Sequence, residues 1–139
     1  MAIEFSFNDE QKMLANTIYK WANTWLEPQM EELDEVDKFP PDFFKELGKM
    51  GMVGITIPEQ YEGAGLGYTE ACICTEQLAR VSNALSMTWG AHLVLCADNI
   101  KRNANDELKA KYLPGLCNGT QMGCLGITEP NAGSDAMSM

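Results

Sequence analysis

Apolar residues recur at intervals of three and four along most of the chain, and this spacing predicts amphipathic helices. The first helix is predicted over residues 9–33, with Asn8 as its N-cap and with a break or kink at Pro28. Further helices are predicted at residues 40–51, 68–81, 84–103 and 106–118. Because the connections between them are short, we expect a mainly α fold, a helical bundle over residues 1–120.

The last twenty residues depart from this helical spacing. Residues 122–127 form a short apolar run that is typical of a buried strand, and residues 128–135 are rich in turn-forming types. A lone strand cannot satisfy its own backbone hydrogen-bonding groups and needs a partner sheet. We therefore expect residues 121–139 to begin a second, β unit, in a chain that looks truncated.

Composition and charge narrow the classes of partner. Of 139 residues, 45% are hydrophobic and 22% charged, which is ordinary for a globular protein. The net charge of −10 repels the phosphates of nucleic acids and of anionic membranes. No apolar run approaches the ~20 residues that span a bilayer, and the first residues lack the regions of a signal peptide. We expect a cytoplasmic protein, with no nucleic acid and no membrane insertion.

The cysteines and the single histidine offer little independent chemistry. Cys72 and Cys74 form the only close pair among five cysteines, and no second pair or nearby histidine completes a zinc set. We expect buried thiols and no metal. His92 follows Trp89 by three residues, close to the apolar face of the predicted 84–103 helix. A core or pocket-lining role is favoured over catalysis, since no acidic residue precedes it at helical spacing.

The glycine-rich loop at residues 63–67 follows an apolar stretch and precedes a helix, as a dinucleotide-binding turn does. The third glycine of that motif would fall at Tyr68, and Glu59 and Glu62 would repel a pyrophosphate. A plain flexible loop is the favoured interpretation.

Residues 125–135, Leu-Gly-Ile-Thr-Glu-Pro-Asn-Ala-Gly-Ser-Asp, carry the candidate chemistry. Small residues let the backbone approach a ligand, and successive N–H groups of the Asn-Ala-Gly-Ser turn can form an anion nest. Gly133 is a position where a positive φ would favour glycine. A tight surface turn is the alternative.

This stretch resembles the flavin-binding signature of acyl-CoA dehydrogenases, in which an aliphatic strand runs into T/S-E-P-x-A-G-S-D. Stretches at residues 39–54, 57–66, 75–80 and 111–114 resemble the same family in the same order. Glu62 departs from the pattern, since the family usually has glycine there. Residues 89–96 and 129–139 are most similar to the isovaleryl-CoA dehydrogenase group.

The resemblance implies an FAD-dependent enzyme that converts a short or branched-chain acyl-CoA to the 2-enoyl-CoA, as part of fatty acid or amino acid catabolism. It implies a homotetramer that passes electrons to an electron-transferring flavoprotein. It covers only the N-terminal helical domain and the first strand of the middle β-domain. The family's catalytic glutamate has no counterpart here, so no catalytic residue is named.

The family motif also implies roles for individual residues. Thr128 would sit against the pyrimidine side of the flavin ring, and Ser134 would be shared between flavin and acyl-CoA. Trp89, His92 and Leu93 would line the acyl pocket. The full set expected to bind the cofactor is Leu125, Gly126, Ile127, Thr128, Glu129, Pro130, Asn131, Ala132, Gly133 and Ser134.

Two other classes of protein stay open. One is a related flavoprotein on the same scaffold, an acyl-CoA oxidase or a desulfinase-like relative. The other is a helical interaction module without a cofactor. Oxygen reactivity of the reduced flavin would separate the first from a dehydrogenase, and the yellow colour of the purified protein would exclude the second.

Overall fold

The computed structural model describes residues 6–138, so residues 1–5 and Met139, at the outer ends of the two predicted units, lie outside the described residues. Within that range the structure is mainly helical, which confirms the predicted fold class. Its α-helices are α1 (Asp9–Trp21), α2 (Glu27–Glu35), α3 (Phe43–Lys49), α4 (Tyr68–Ala79), α5 (Asn83–Gly90), α6 (Asp98–Asn103) and α7 (Asp106–Cys117). None of the described helices is both long and apolar enough to cross a membrane.

The two longest predicted helices run on through π-helical turns. Ala22–Leu26 joins α1 to α2, and Ala91–Ala97 joins α5 to α6. The helix does not break at Pro28, which lies in the first turn of α2. Just before it, the Glu27 N–H bonds to Ala22 O, five residues back. This wider turn shifts the hydrogen-bond register where the proline ring would meet the carbonyl four residues earlier.

The core lies between α1, α3, α4 and α5, with α1 packed on α4 and α4 on α5. At the start of α1, the Asn8 side chain accepts a 2.8 Å hydrogen bond from the Gln11 N–H, which confirms the predicted N-cap. On α5, the Trp89 indole is buried and donates to Met52 O at 3.2 Å. The fully buried apolar side chains at the centre include Ile18, Leu26, Phe43, Leu47, Val53 and Leu93.

The glycine-rich loop is tied down by backbone hydrogen bonds, unlike the flexible loop that the sequence favoured. The Gly65 N–H donates to Ile57 O at 2.9 Å. A Cβ on Gly63 would lie 2.0 Å from the same oxygen, so no larger residue fits there. Glu62 has a φ of 66°, in the left-handed region that favours glycine. The backbone thus explains why glycine is usual at this position in the family that the sequence resembles.

The structure differs from the prediction after residue 120. Residues 122–127 form no strand, and within residues 6–138 the one bridge recorded joins Glu129 to Ala132. Leu125 and Ile127 are 41% and 45% exposed, so the stretch is not buried either. A strand needs a neighbour for its backbone groups, and the described helices offer none.

Candidate functional site

The residues expected to bind a cofactor contain one closed turn. The Glu129 N–H donates to Ala132 O at 2.9 Å, and the Ala132 N–H donates back to Glu129 O at 3.3 Å. This pair fixes Pro130 and Asn131 at the tip of the turn. Ala132 is buried, whereas the residues on both sides of the turn are exposed. The 125–134 segment is therefore a surface turn with exposed flanks.

The flanks of this turn offer unpaired donors and little steric bulk. Among residues 6–138, the backbone N–H groups of Thr128, Gly133 and Ser134 have no hydrogen-bond partner. A Cβ on Gly126 would meet nothing within 4 Å, and one on Gly133 would contact only Thr128 Cγ2, at 3.6 Å. Gly133 does not have a positive φ, so the expected backbone strain there is wrong. Free amides beside small residues suit the polar edge of a flat ring such as flavin.

Gly123, two residues before this segment, is hydrogen-bonded to His92 of the helical core. The Gly123 N–H donates to His92 Nδ1 at 3.0 Å, and His92 Nε2 lies 3.2 Å from Leu116 O. Since Nδ1 accepts, Nε2 carries the proton and donates. Burial lowers the pKa of His92, although the bond to Leu116 acts in the opposite direction. The ring is therefore neutral at pH 7.

Trp89, His92 and Leu93, which were expected to line an acyl pocket, all lie in the core. They are three and four residues apart, so they share one face of the helix, and that face packs inward. Each is at most 1% exposed. The structure brings them together, but behind the surface and away from the 125–134 segment, which only His92 approaches through Gly123.

The other face of the same helix borders an open apolar groove that the sequence reading missed. This α4–α5 groove has a volume of about 350 Å³. Its lining includes Thr75, Met87, Gly90, Ala91, Val94 and Leu95. A Cβ on Gly90 would meet nothing within 4 Å, so the groove is open at that point. Its signal in the sequence was a second apolar stripe, Met87, Ala91, Val94 and Leu95, beside the core stripe.

A buried carboxylate joins the start of α4 to α6. Asp98 Oδ2 accepts hydrogen bonds from the Tyr68 hydroxyl and from Arg102 Nε, both at 2.6 Å, and Lys101 pairs with Oδ1. Burial alone would raise the pKa of Asp98, but the bonds from Lys101, Tyr68 and Arg102 outweigh it and hold the pKa below its usual value. This cluster is structural, because its charges are paired with one another.

The five cysteines differ in burial, and Cys96 is half-buried. Cys74 and Cys117 are buried, and burial raises the pKa of their thiols to about 12 and about 11. Cys72 and Cys124 are exposed, so the expectation that the thiols are buried is wrong for these two. The described residues contain no group of three or more His, Cys, Asp or Glu side chains that could hold a metal ion.

The sequence of this chain is similar to that of known proteins from one family. Residues 8–120 match the family described as acyl-CoA dehydrogenase, N-terminal domain. Over 134 residues the chain is 46% identical to the mitochondrial isovaleryl-CoA dehydrogenase of Bos taurus, covering 95% of this chain and 32% of that protein. The chain spans about a third of the length of the curated relatives it matches.

Solved structures of dehydrogenases that are similar in sequence to this chain share its fold. A glutaryl-coenzyme A dehydrogenase in complex with glutaryl-CoA superposes with a TM-score of 0.92 at 35% identity, covering 99% of this chain and 35% of that one. An acyl-CoA dehydrogenase of Bacillus anthracis complexed with FAD superposes with a TM-score of 0.85 at 31% identity, covering 96% and 23%.

Proposed function

This chain belongs to the acyl-CoA dehydrogenase family, and we propose that it is the N-terminal portion of an FAD-dependent acyl-CoA dehydrogenase. Residues 1–120 would form its N-terminal helical domain, and residues 121–139 would begin its middle β-domain. The substrate would be a short or branched-chain acyl-CoA, converted to the 2-enoyl-CoA. The observation that carries the proposal is the exposed turn with unpaired amides, which bears the family's flavin signature.

The 125–134 segment is proposed to hold FAD. The free N–H groups of Thr128, Gly133 and Ser134, together with the Thr128 hydroxyl, would donate to the polar edge of the ring. Ser134 would also contact the acyl-CoA. When bound, FAD supplies the acceptor for the hydride that leaves Cβ. The protein's share is to orient the ring and to exclude water.

The α4–α5 groove is proposed to take the acyl chain. Gly90 and Ala91 leave its middle wide, which suits a branch point, while the exposed Met87 and Leu95 add bulk that would limit chain length. Trp89, His92 and Leu93 would not touch the acyl chain. Their packing in the core would hold in place the helix whose outer face forms the groove. This assigns the acyl contacts to the side of the helix opposite the one that the sequence pointed to.

An electron-transferring flavoprotein is proposed as the electron acceptor and a homotetramer as the assembly. Both proposals rest on the family that residues 8–120 match. The cytoplasmic location stays a prediction.

The test uses the purified full-length protein. We expect flavin absorbance at one FAD per chain, and a higher kcat/KM for isovaleryl-CoA than for palmitoyl-CoA with an artificial acceptor. Ala91→Val should lower kcat/KM for the branched substrate by roughly 10- to 200-fold, because valine adds two methyl groups at the middle of the groove. Ala110→Val, on the exposed side of α7, is the matched control and should change nothing. Colourless protein, or equal rates on long chains, would overturn the proposal.

A further inference from the structure

His92 connects three parts of the chain that are far apart in sequence. Its ring lies against Phe44 of α3, with ring centroids 4.8 Å apart. Nε2 donates to Leu116 O at the end of α7, and Nδ1 accepts from the Gly123 N–H. The imidazole is 1% exposed, and its bond to Leu116 O is buried, whereas its bond to Gly123 is partly buried. It is a buried polar side chain with both nitrogens used.

These two bonds need a donor and an acceptor on one rigid side chain. The neutral imidazole provides this pair, and burial keeps the ring neutral by lowering its pKa. A protonated ring would turn Nδ1 into a donor and set it against the Gly123 N–H. An apolar side chain would leave the buried Leu116 O and the partly buried Gly123 N–H without these partners, and an unpaired buried acceptor is costly.

The contact with Gly123 lies where the segment leaves the helices. The Gln121 N–H donates to Gly115 O at 3.0 Å, and the Cys124 N–H contacts the Cys96 sulfur. Gly123 lies close to the π-helical turn Ala91–Ala97, since a Cβ on it would lie 2.4 Å from Cys96 Sγ, so no larger residue fits there. Within the described residues, the next backbone hydrogen bond along the chain is the Glu129–Ala132 pair inside the turn itself. The exit direction is thus set within residues 121–124.

We propose that His92 is a positioning residue, which fixes where the 125–134 segment leaves the helical domain and so where Thr128 meets the cofactor. The inference rests on the proposed function for its second half, the placement of Thr128 against FAD. Its first half, the fixing of the exit, stands on the two hydrogen bonds alone.

The first test measures the exit directly, by hydrogen exchange of the Gly123 amide followed by NMR in the 139-residue chain. His92→Leu should speed this exchange at least about tenfold more than that of core amides, because the acceptor is lost. His92→Gln keeps a donor and an acceptor and should restore part of the protection. Trp89→Phe is the matched control, since it removes another buried hydrogen bond from the same helical face. In this variant the exchange of the Gly123 amide should change only by the same factor as that of the core amides.

The second test measures FAD affinity in the full-length protein. We expect the Kd for FAD to rise about tenfold in His92→Leu, less in His92→Gln, and not in Trp89→Phe. Unchanged Gly123 exchange in His92→Leu, or an equal change in Trp89→Phe, would overturn the inference. So would wild-type FAD affinity in His92→Leu. If the unmodified protein binds no FAD, the proposed function fails instead, and the exchange experiment still decides whether His92 fixes the exit.

Discussion

Apolar side chains are buried in the helical domain of residues 8–120 but mostly exposed in the segment that follows it. In the helical domain Phe43, Leu47 and Leu93 are fully buried. Leu125 and Ile127 face solvent, and among residues 121–138 only Ala132 is buried. The helical domain buries its apolar side chains against one another, whereas the segment after it leaves apolar surface exposed, where a ligand could contact it. The proposed cofactor contacts lie in this segment, whose apolar side chains make little use of packing within the chain.

Polar groups show the same difference. Inside the helical domain, buried groups such as the Trp89 indole and the Asp98 carboxylate have partners from other elements. Along the turn, the N–H groups of Thr128, Gly133 and Ser134 have none within the described residues. Buried amides left unpaired would be costly, but exposed ones are free to bind a ligand. The proposed binding role therefore falls on residues that we expect to contribute little to stability.

The largest expected contrast comes from truncating one apolar side chain in each region. Trp89→Ala should lower the free energy of unfolding by about 3–5 kcal/mol, because it opens a cavity in the core and strands Met52 O. Ile127→Ala should change it by less than about 0.5 kcal/mol. Urea unfolding followed by circular dichroism measures both. Similar losses from the two variants would show that the segment packs as the core does.

Two glycines give the next contrast. A Cβ on Gly119 would lie 2.2 Å from Phe44 O, and its φ is 76°, so Gly119→Ala should cost about 2–4 kcal/mol. At Gly133 the same change meets Thr128 Cγ2 at an ordinary 3.6 Å, and we expect less than about 0.5 kcal/mol. Thermal unfolding of both variants provides the measurement. A large loss from Gly133→Ala would contradict the view that stability is independent of the turn.

Acid should act on the helical domain through Asp98. The folded state lowers the pKa of this carboxyl, so its contribution to stability is fully present above the unfolded pKa of about 3.9 and is lost as pH falls towards the folded pKa. Asp98→Asn should cost about 1–3 kcal/mol at pH 7 and flatten the loss of stability below pH of about 4. Asp135→Asn, an exposed carboxylate beyond the turn, is the control. Equal pH profiles for wild type and Asp98→Asn would refute this role.

The smallest expected effect is a gain in stability. Glu62 holds a left-handed φ of 66°, so Glu62→Gly should stabilise the helical domain by about 0.5–1 kcal/mol. The gain is limited because glycine also makes the unfolded chain more flexible. Glu59→Gly, one turn earlier in the same loop, should not stabilise. A loss of stability in Glu62→Gly would mean that the Glu62 side chain makes a contact worth more than the backbone strain.

The two regions also differ in how far the sequence predicts them. The helices follow from apolar spacing, because each buries one stripe against its neighbours. The π turns were not predictable, since the register shift before Pro28 depends on three-dimensional packing. The α4–α5 groove was missed because a helix with two apolar stripes does not show which one is covered. His92 was expected in the core or in a pocket, and the core position is confirmed, but its partners, 24 and 31 residues away, cannot be predicted from local sequence.

The predicted strand at residues 122–127 failed for a related reason. A strand depends on its neighbour more than on its own residues, and no neighbour is present in residues 6–138. The turn chemistry of residues 128–135 could be predicted, because proline, asparagine and glycine act locally. Its binding role rests on the family signature and stays a proposal.

FAD titration of full-length apo-protein, with far-UV circular dichroism recorded on the same samples, tests most directly whether the 125–134 segment carries binding and the helical domain carries stability. We expect Gly133→Val to lose FAD retention with an unchanged helical spectrum, because a branched side chain would fill the space beside Thr128 that the ring must approach. Thr128→Ala should weaken binding by about 0.5–1.5 kcal/mol, the worth of one neutral hydrogen bond. If Gly133→Val binds FAD as tightly as the unmodified protein, the segment is an ordinary surface turn.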